Sequence, residues 1–260
     1  MHPVFSWPIL AQALSAPDVS PRLTVQSWYE SGLLAKELPE VHALFGIPQP
    51  PLHHPEVDTG VHTLLVTEQA WLRTKDAGVI FAALVHDLGK GITPQDQWPK
   101  HTDHESNGIP LVQSVCDRLG VPEDVARLAR LVCEYHLHSH RVFEMRPGSV
   151  IQWLDKVNLL QNNELRQSFM LACEADARGR TGLEHREYLS PHYVETVARL
   201  AQSVWHIETR QERLQEAISL VKRHYAPFSD KENVKHVVRQ EYGLEPTAVD
   251  PSGHGAAPSC

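Results

Sequence analysis

An adjacent histidine and aspartate, His86 and Asp87, end an apolar stretch and are followed by a glycine and Lys90. Burying an imidazole and a carboxylate together is costly unless something pairs with both. A divalent cation would do so, because neutral imidazole nitrogen and carboxylate oxygen form a mixed ligand set suited to first-row metals. The other interpretation is an ordinary helix end, where His86 and Lys90 complement the helix dipole and Asp87 is solvated.

Further candidate ligands recur along the chain and favour the metal. His62 lies in an apolar stripe one helix earlier and would face the same end of the core as His86 if the two helices pack antiparallel. His104 opens the following helix, and His136 closes the one after that. Asp155 lies in the apolar stripe of a fifth helix, where an unpaired carboxylate would be costly. Candidate ligands on five successive helices predict a metal site.

The hydrophobic spacing predicts an all-α protein, with no strand pattern of useful length. Helices are expected at about residues 4–14, 33–45, 58–73, 79–89, 104–119, 122–138, 150–160, 164–177, 191–204 and 209–224. We divide the chain into an N-terminal helical extension and linker, a core, a set of C-terminal helices and a disordered tail, at residues 1–56, 57–162, 163–243 and 244–260.

Composition narrows the class of protein. A chain of 260 residues with 42% hydrophobic content can bury a substantial core without disulfides. Its net charge of −8 argues against a broad basic surface that grips nucleic acid. The four cysteines show no CxxC pairing, and three lie in apolar helical patterns, which is typical of buried thiols. No apolar run reaches the ~20 residues of a bilayer span, and no signal-peptide pattern opens the chain, so we expect a cytoplasmic protein without a membrane partner.

The order of these residues resembles the HD superfamily of metal-dependent phosphohydrolases, which is named for its adjacent His-Asp pair. Longer strings are similar to the C-terminal half of bacterial CCA-adding tRNA nucleotidyltransferases that carry an HD domain. Those strings are LPEV at 38–41, LFGIP at 44–48, EVDTGVHT at 56–63, FAALVHDLGKG at 81–91, HE at 104–105 and CEADARGRTG at 173–182. The resemblance covers roughly residues 33–205.

The resemblance implies an HD-domain helical bundle with flanking helices and a phosphatase or 2′,3′-cyclic phosphodiesterase activity on nucleotides or RNA ends. The divalent metal would be Mg, Mn, Ni, Co or Fe. The Gly-Ser turn and paired aspartates of the nucleotidyltransferase half are absent from this sequence, so we expect no CCA addition by the chain alone. Possible partners are tRNA or a separate nucleotidyltransferase chain, docked through the apolar residues of 33–45. The alternative is a non-catalytic tRNA- or protein-binding remnant of a split CCA-adding enzyme, or a nucleotide sensor without turnover.

Each candidate residue receives an expected role. We expect the metal ligands to be His62, His86, Asp87 and Asp155. Lys90 would neutralise charge that develops on the substrate, and His104 and His136 would bind a second metal or move a proton. The alternatives are loop structure for His104 and an exposed polar loop, shared with His138 and His140, for His136.

A substrate phosphate would contact Arg178 or Arg180. The tight turn of residues 176–180 that contains both arginines is equally well explained as a structural salt-bridge corner.

The fifth helix leaves one choice open. The tRNA-enzyme pattern has an aspartate where Asn158 stands, so the last ligand position is either Asp155 or Asn158. We favour Asp155, because an apolar residue, aspartate and lysine in succession match the general superfamily pattern.

Overall fold

The computed structural model describes residues 5–226 and 230–245. Within those residues the chain is all-α, as predicted, and one isolated antiparallel bridge joins Pro48 and Asp58. The α-helices are α1 Trp7–Leu14, α2 Pro21–Glu30, α3 Leu33–Glu37, α4 Pro39–His42, α5 Thr59–Arg73, α6 Ala77–Val85, α7 His104–Leu119, α8 Glu123–His140, α9 Pro147–Lys156, α10 Asn163–Arg178, α11 Ser190–Ser203, α12 Arg210–His224 and α13 Lys231–Tyr242. Short 3-10 helices cover Leu88–Ile92, Gln95–Gln97 and Val142–Glu144.

Helix α6 is the centre of the fold. Its sequence is apolar on every side, and each residue from Gly78 to Val85 is buried. A helix that is apolar all round has to be enclosed by other elements. Helices α1, α5, α8 and α10 pack around it. The chain leaves the last turn of α6 at His86, so the His-Asp pair emerges inside the bundle.

Capping residues set the start of the helices that lead to this pair. The Asp58 carboxylate accepts a hydrogen bond from Val61 N–H at 2.9 Å, and the Asp76 carboxylate accepts one from Val79 N–H at 2.9 Å. Each cap satisfies an N–H group that has no partner within its helix. The helix expected at about residues 58–73 is confirmed as α5, with Asp58 as its N-cap.

Two helices were missing from the sequence-based prediction. Helix α2 follows the N-cap Ser20 and begins with Pro21, in the segment between the helices expected at residues 4–14 and 33–45. Helix α13 follows the N-cap Asp230 and lies in a polar stretch with few apolar residues. The segment 33–45 forms two short helices, because Pro39 starts a new one. Residue 4, where the first helix was expected to begin, and residues 246–260 of the predicted tail lie outside the described residues.

Close backbone packing explains two glycines beside the His-Asp pair. A Cβ on Gly89 would lie 1.9 Å from the carbonyl oxygen of His104, and one on Gly108 would lie 2.6 Å from Cys133 Sγ. These two glycines let the 3-10 turn after Asp87 pack directly on the first turns of α7. The helix expected to reach residue 89 ends at Val85, and the role of Gly89 is this close approach.

The N-terminal helices share the core with the helices that follow. Helix α1 packs on α6, where Trp7 meets Phe81 edge-on at a centroid distance of 5.5 Å, and α2 packs on α5. Four of the apolar residues expected to dock a separate chain lie in this core. Leu34, Leu38, Val41 and Leu44 are fully buried. A partner chain cannot bind through those side chains, and that part of the prediction is corrected. The domain limits at residues 56, 162 and 243 stay a prediction.

Candidate metal centre

Four histidines meet at one end of α6. His62 lies on α5, His86 ends α6, His104 opens α7, and His136 lies near the end of α8. All four side chains are buried. The ring centroids of His62 and His86 are 5.7 Å apart, and His136 lies 5.2 Å from His86 and 5.6 Å from His104. The expected convergence of these residues is therefore observed.

Each imidazole is held by a backbone carbonyl through its Nδ1 atom. His62 donates to Gly179 O at 3.0 Å, His86 to Ala83 O at 2.7 Å, and His104 to His101 O at 2.8 Å. His136 Nδ1 lies 3.1 Å from Val132 O. A carbonyl oxygen only accepts, so every Nδ1 carries a hydrogen. In the neutral rings this leaves the Nε2 atoms with free lone pairs.

Those lone pairs point at the carboxylate of Asp87. Its Oδ2 lies 3.2 Å from His86 Nε2 and 4.0 Å from His62 Nε2, while its Oδ1 lies 3.3 Å from His104 Nε2 and 3.8 Å from His136 Nε2. Among the described residues, His86 Nε2, His104 Nε2 and both Asp87 oxygens lack a well-directed hydrogen bond. Buried acceptors that face one another are unfavourable unless protons or cations lie between them.

A second aspartate, Asp176 on α10, completes the cluster. Its Oδ1 lies 3.1 Å from His62 Nε2 and 3.8 Å from His86 Nε2, and its Oδ2 lies 2.5 Å from His140 Nε2. In the described part of the chain, three groups bring ligand atoms within 4.8 Å of one another: His54, Glu56 and His62; His62, His86 and Asp176; and Asp87, His104 and His136.

The sequence analysis left Asp176 and His140 without a metal role. The expected tight turn at residues 176–180 and exposed polar loop at His140 did not indicate that either side chain faces the histidines. The available signal was the spacing of His136 and His140, which puts both on one face of α8.

The structure does not bring Asp155 to this cluster. Helix α9 packs on α11 and α12, and the Asp155 carboxylate pairs there with Arg210 of α12. Asn158, the other position considered, is exposed beyond the end of α9 with a φ of +63°, a conformation that asparagine tolerates. The choice of Asp155 as the last member of the cluster is therefore corrected in favour of Asp176.

Charge and burial set the ionisation of the cluster. Burial alone would raise the pKa of Asp87, but the charges of His86 and Lys90 hold it well below its ordinary value. Burial lowers the pKa of His136 well below the usual range, so that ring is neutral. Burial also opposes the charged form of His86, but the carboxylate of Asp87 outweighs it and raises the pKa of His86.

Lys90 lies inside the site rather than at its rim. Its side chain is mostly buried, with Nζ 2.6 Å from Asp87 Oδ2 and a hydrogen bond of 2.6 Å to Gln49 Oε1. The ammonium group therefore neutralises the Asp87 carboxylate and is tied to the loop before α5. The expected role of Lys90 in neutralising charge on a substrate stays a prediction.

The two arginines expected to bind substrate have different positions. Arg178 Nε pairs with Glu174 Oε1 at 2.8 Å, in an ion pair one helical turn apart on α10. Arg180 Nη2 lies 3.8 Å from Asp176 Oδ1, and its side chain is 16% exposed. The structure thus brings Arg180 to the edge of the cluster, while Arg178 is engaged by an acidic neighbour.

A glutamate from the loop before α5 supports His62. Glu56 Oε1 lies 3.0 Å from His62 Nδ1 and 3.2 Å from His54 Nδ1, and its Oε2 accepts from Thr181 N–H at 3.2 Å. Burial lowers the pKa of His54 to about 4. The loop of residues 48–58 is thereby fixed over one side of the cluster.

Comparison with known proteins agrees with this arrangement. Residues 59–178 match the HD domain family, a span that begins with α5 and ends with α10. This segment is an HD domain. It contains the four histidines of the cluster as well as His140, Asp87 and Asp176. The HD domain belongs to a superfamily of metal-dependent phosphohydrolases.

Proteins similar to this chain include several multifunctional CCA proteins. The chain is 44% identical over 204 residues to the multifunctional CCA protein of Pseudomonas aeruginosa, an alignment that covers 78% of this chain and 49% of that protein. It is 47% identical over 187 residues to the one from Teredinibacter turnerae, covering 72% and 45%, and 44% identical over 198 residues to the one from Alkalilimnicola ehrlichii, covering 76% and 48%. The chain spans about half the length of these relatives. No solved structure shows significant similarity to it.

No helix within residues 5–226 and 230–245 is long and apolar enough to cross a membrane. Cys116, Cys133 and Cys173 are buried free thiols, as the sequence predicted, while Cys260 lies outside the described residues.

Proposed function

We propose that this protein is a metal-dependent phosphohydrolase whose divalent ion is held by His62, His86, Asp87 and Asp176. The observation that carries the proposal is the convergence of buried Nε2 lone pairs and carboxylate oxygens, with each histidine held through Nδ1 by a backbone carbonyl. Such outer contacts fix the tautomer that binds a metal. Histidine and carboxylate together suit Mn, Fe, Co or Ni, and Mg less readily.

A divalent ion in this site would supply a Lewis acid for a phosphoryl oxygen and would make a nearby water acidic enough to attack phosphorus. The chain's own residues would do the rest. Lys90 offsets negative charge at the Asp87 side of the site, and Arg180 binds a further phosphate oxygen at the exposed edge. The surrounding burial excludes bulk water and strengthens these electrostatic interactions.

A second ion is part of the proposal. Asp87 presents Oδ2 to His62 and His86, and Oδ1 to His104 and His136. One carboxylate can therefore serve both groups. In a protein with only one bound ion, His104 would instead accept a proton at its free Nε2.

The relatives support a proposal for the substrate class. Because they are multifunctional CCA proteins, we propose phosphate mono- or diesters of nucleotides or RNA ends, with 2′,3′-cyclic nucleotides as the first compounds to assay. Interaction with tRNA or with a separate nucleotidyltransferase chain belongs to the same proposal. The cytoplasmic location expected from the sequence stays a prediction.

The test compares Asp87→Ala with wild type. We expect wild type to bind divalent metal and hydrolyse a 2′,3′-cyclic nucleotide only when metal is present. Asp87→Ala should lose both properties while its helicity, measured by circular dichroism, is retained, because α6 ends before this residue. Asp117→Ala is the matched control, since Asp117 is an exposed aspartate of α7 away from the cluster.

An Asp87→Ala protein that hydrolyses the substrate at the wild-type rate would overturn the assignment. Wild type that binds metal but turns over no phosphate ester would favour the non-catalytic binding or sensing role.

A further inference from the structure

A chain of side-chain hydrogen bonds lies behind Asp176, on the side away from His62 and His86. His140 Nε2 lies 2.5 Å from Asp176 Oδ2, and His140 Nδ1 lies 3.0 Å from the Tyr188 hydroxyl. The Tyr188 hydroxyl is also 2.7 Å from Ser139 Oγ. We call His140, Tyr188 and Ser139 the Asp176 tether.

The chemistry of these groups gives the tether a direction. An ionised carboxylate only accepts hydrogen bonds, so His140 Nε2 carries a hydrogen. In a neutral imidazole this leaves Nδ1 as an acceptor, and the Tyr188 hydroxyl donates to it. The Tyr188 oxygen can then accept from Ser139. Burial raises the pKa of Tyr188 well above its ordinary value, so the phenol keeps the hydrogen that it donates.

The tether decides which oxygen of Asp176 faces the histidine cluster. Because Oδ2 is engaged by His140, Oδ1 is the atom left facing His62 Nε2 at 3.1 Å and His86 Nε2 at 3.8 Å. A carboxylate without this contact could rotate about its side-chain torsion and lose the aligned oxygen. Outer contacts of this kind orient a ligand before the metal arrives.

We propose that Tyr188, acting through His140, is a positioning residue that holds Asp176 ready to bind the metal. This inference rests on the proposed metal site. Tyr188 follows α10 and lies outside residues 59–178, the span matched by the HD domain family. A segment beyond the HD domain would thus complete the site within it.

Tyr193 provides a matched control. It is a fully buried tyrosine, close to Tyr188 in the chain, and its hydroxyl makes no hydrogen bond to any part of the described structure. Tyr188→Phe and Tyr193→Phe each remove one phenol hydroxyl and keep the ring. A role of Tyr188 in packing alone predicts the same result for both variants.

The experiment titrates wild type and both variants with Co²⁺, well below their unfolding temperatures, and records the visible ligand-field spectrum. We expect Tyr188→Phe to weaken Co²⁺ binding about tenfold, at the lower end of what outer contacts of metal ligands contribute, and to alter the spectrum. Tyr193→Phe should match wild type. In a His140→Ala background, Tyr188→Phe should cause no further loss, because its connection to Asp176 is already broken.

His140→Gln gives an independent check that does not depend on the folding of Tyr188→Phe. A glutamine amide can still donate to Asp176 Oδ2, so His140→Gln should retain more Co²⁺ affinity than His140→Ala. The inference is overturned if Tyr188→Phe binds Co²⁺ as wild type does, if Tyr193→Phe loses as much, if the losses from His140→Ala and Tyr188→Phe add, or if His140→Gln is no better than His140→Ala. Wild type that binds no Co²⁺ would overturn the proposed metal site as well, which separates the two failures.

Discussion

Two aspartates on neighbouring helices have opposite environments. Asp176 of α10 is buried among His62, His86 and His140, whereas Asp155 of α9 forms an ion pair with Arg210, whose side chain is 67% exposed. Both residues follow apolar positions in their helices, so hydrophobic spacing alone does not separate them. The difference comes from packing: α10 lies against α5, α6 and α8, while α9 lies against α11 and α12. An aspartate in an apolar stripe is therefore a candidate ligand only if its helix contacts the helices that carry the histidines.

The largest expected effect compares these two aspartates directly. Asp176→Asn removes a charged ligand oxygen. Outer contacts of metal ligands contribute roughly 10–100-fold to metal affinity, and a ligand contributes more. We therefore expect metal affinity to fall by about 100-fold or more. Asp155→Asn should leave metal affinity unchanged, and removing its surface ion pair should cost about 0–1 kcal/mol of stability. Metal titration by calorimetry and thermal unfolding of both variants measure these effects.

The assignment of Asp176 rather than Asp155 as the ligand is wrong if Asp155→Asn weakens metal binding more than Asp176→Asn does. A large gain in affinity from Asn158→Asp would also contradict it, since position 158 is exposed beyond the end of α9.

Glycines in the same two regions give the next contrast. Gly89→Ala places a methyl group 1.9 Å from the His104 carbonyl oxygen, so α7 has to move away, and we expect a loss of about 2 kcal/mol in the free energy of unfolding. Gly148→Ala, in the first turn of α9, meets only Ile218 Cδ1 at 3.5 Å and should be neutral or raise stability by about 0.5 kcal/mol. Urea unfolding of the two variants shows whether the structure is packed more tightly at the metal site than at α9, or accepts an added methyl group equally well at both positions. Equal stabilities would show that α7 adjusts without cost.

The smallest effect concerns pH. The pKa of His86 is raised above 6.5 in the metal-free protein, so its proton stabilises that state below pH 6.5, and this stabilisation is lost as pH rises through the folded-state pKa. Metal binding needs the neutral ring. Below that pKa, metal affinity should therefore rise about tenfold per pH unit for one displaced proton, worth about 1.4 kcal/mol.

The test measures Mn²⁺ affinity and the thermal stability of the metal-free protein from about pH 6 to about pH 9. As pH rises, metal affinity should increase, while the stability contributed by the proton on His86 should decrease. Metal affinity that does not change with pH would contradict the assignment of His86 as a ligand.

The sequence by itself was sufficient for the all-α class, the limits of α5, and the set of His62, His86, Asp87, His104 and His136. These predictions depend on local information. Capping residues mark helix starts, and an imidazole or carboxylate in an apolar stripe is costly enough to need a partner. The superfamily could also be predicted from local information, because the sequence segments that resemble HD domain proteins surround those residues.

Only the tertiary structure decided which residues complete the site. The position of Asp176 depends on how α10 crosses α5, and the pairing of Asp155 with Arg210 depends on a contact between residues 55 positions apart. The connection of Tyr188 to His140 joins residues separated by 48 positions. Helical spacing shows which face of a helix a side chain occupies, but not which neighbour that face meets. That choice is made by the packing of whole helices around α6, where close approaches such as Gly89 against α7 exclude other arrangements.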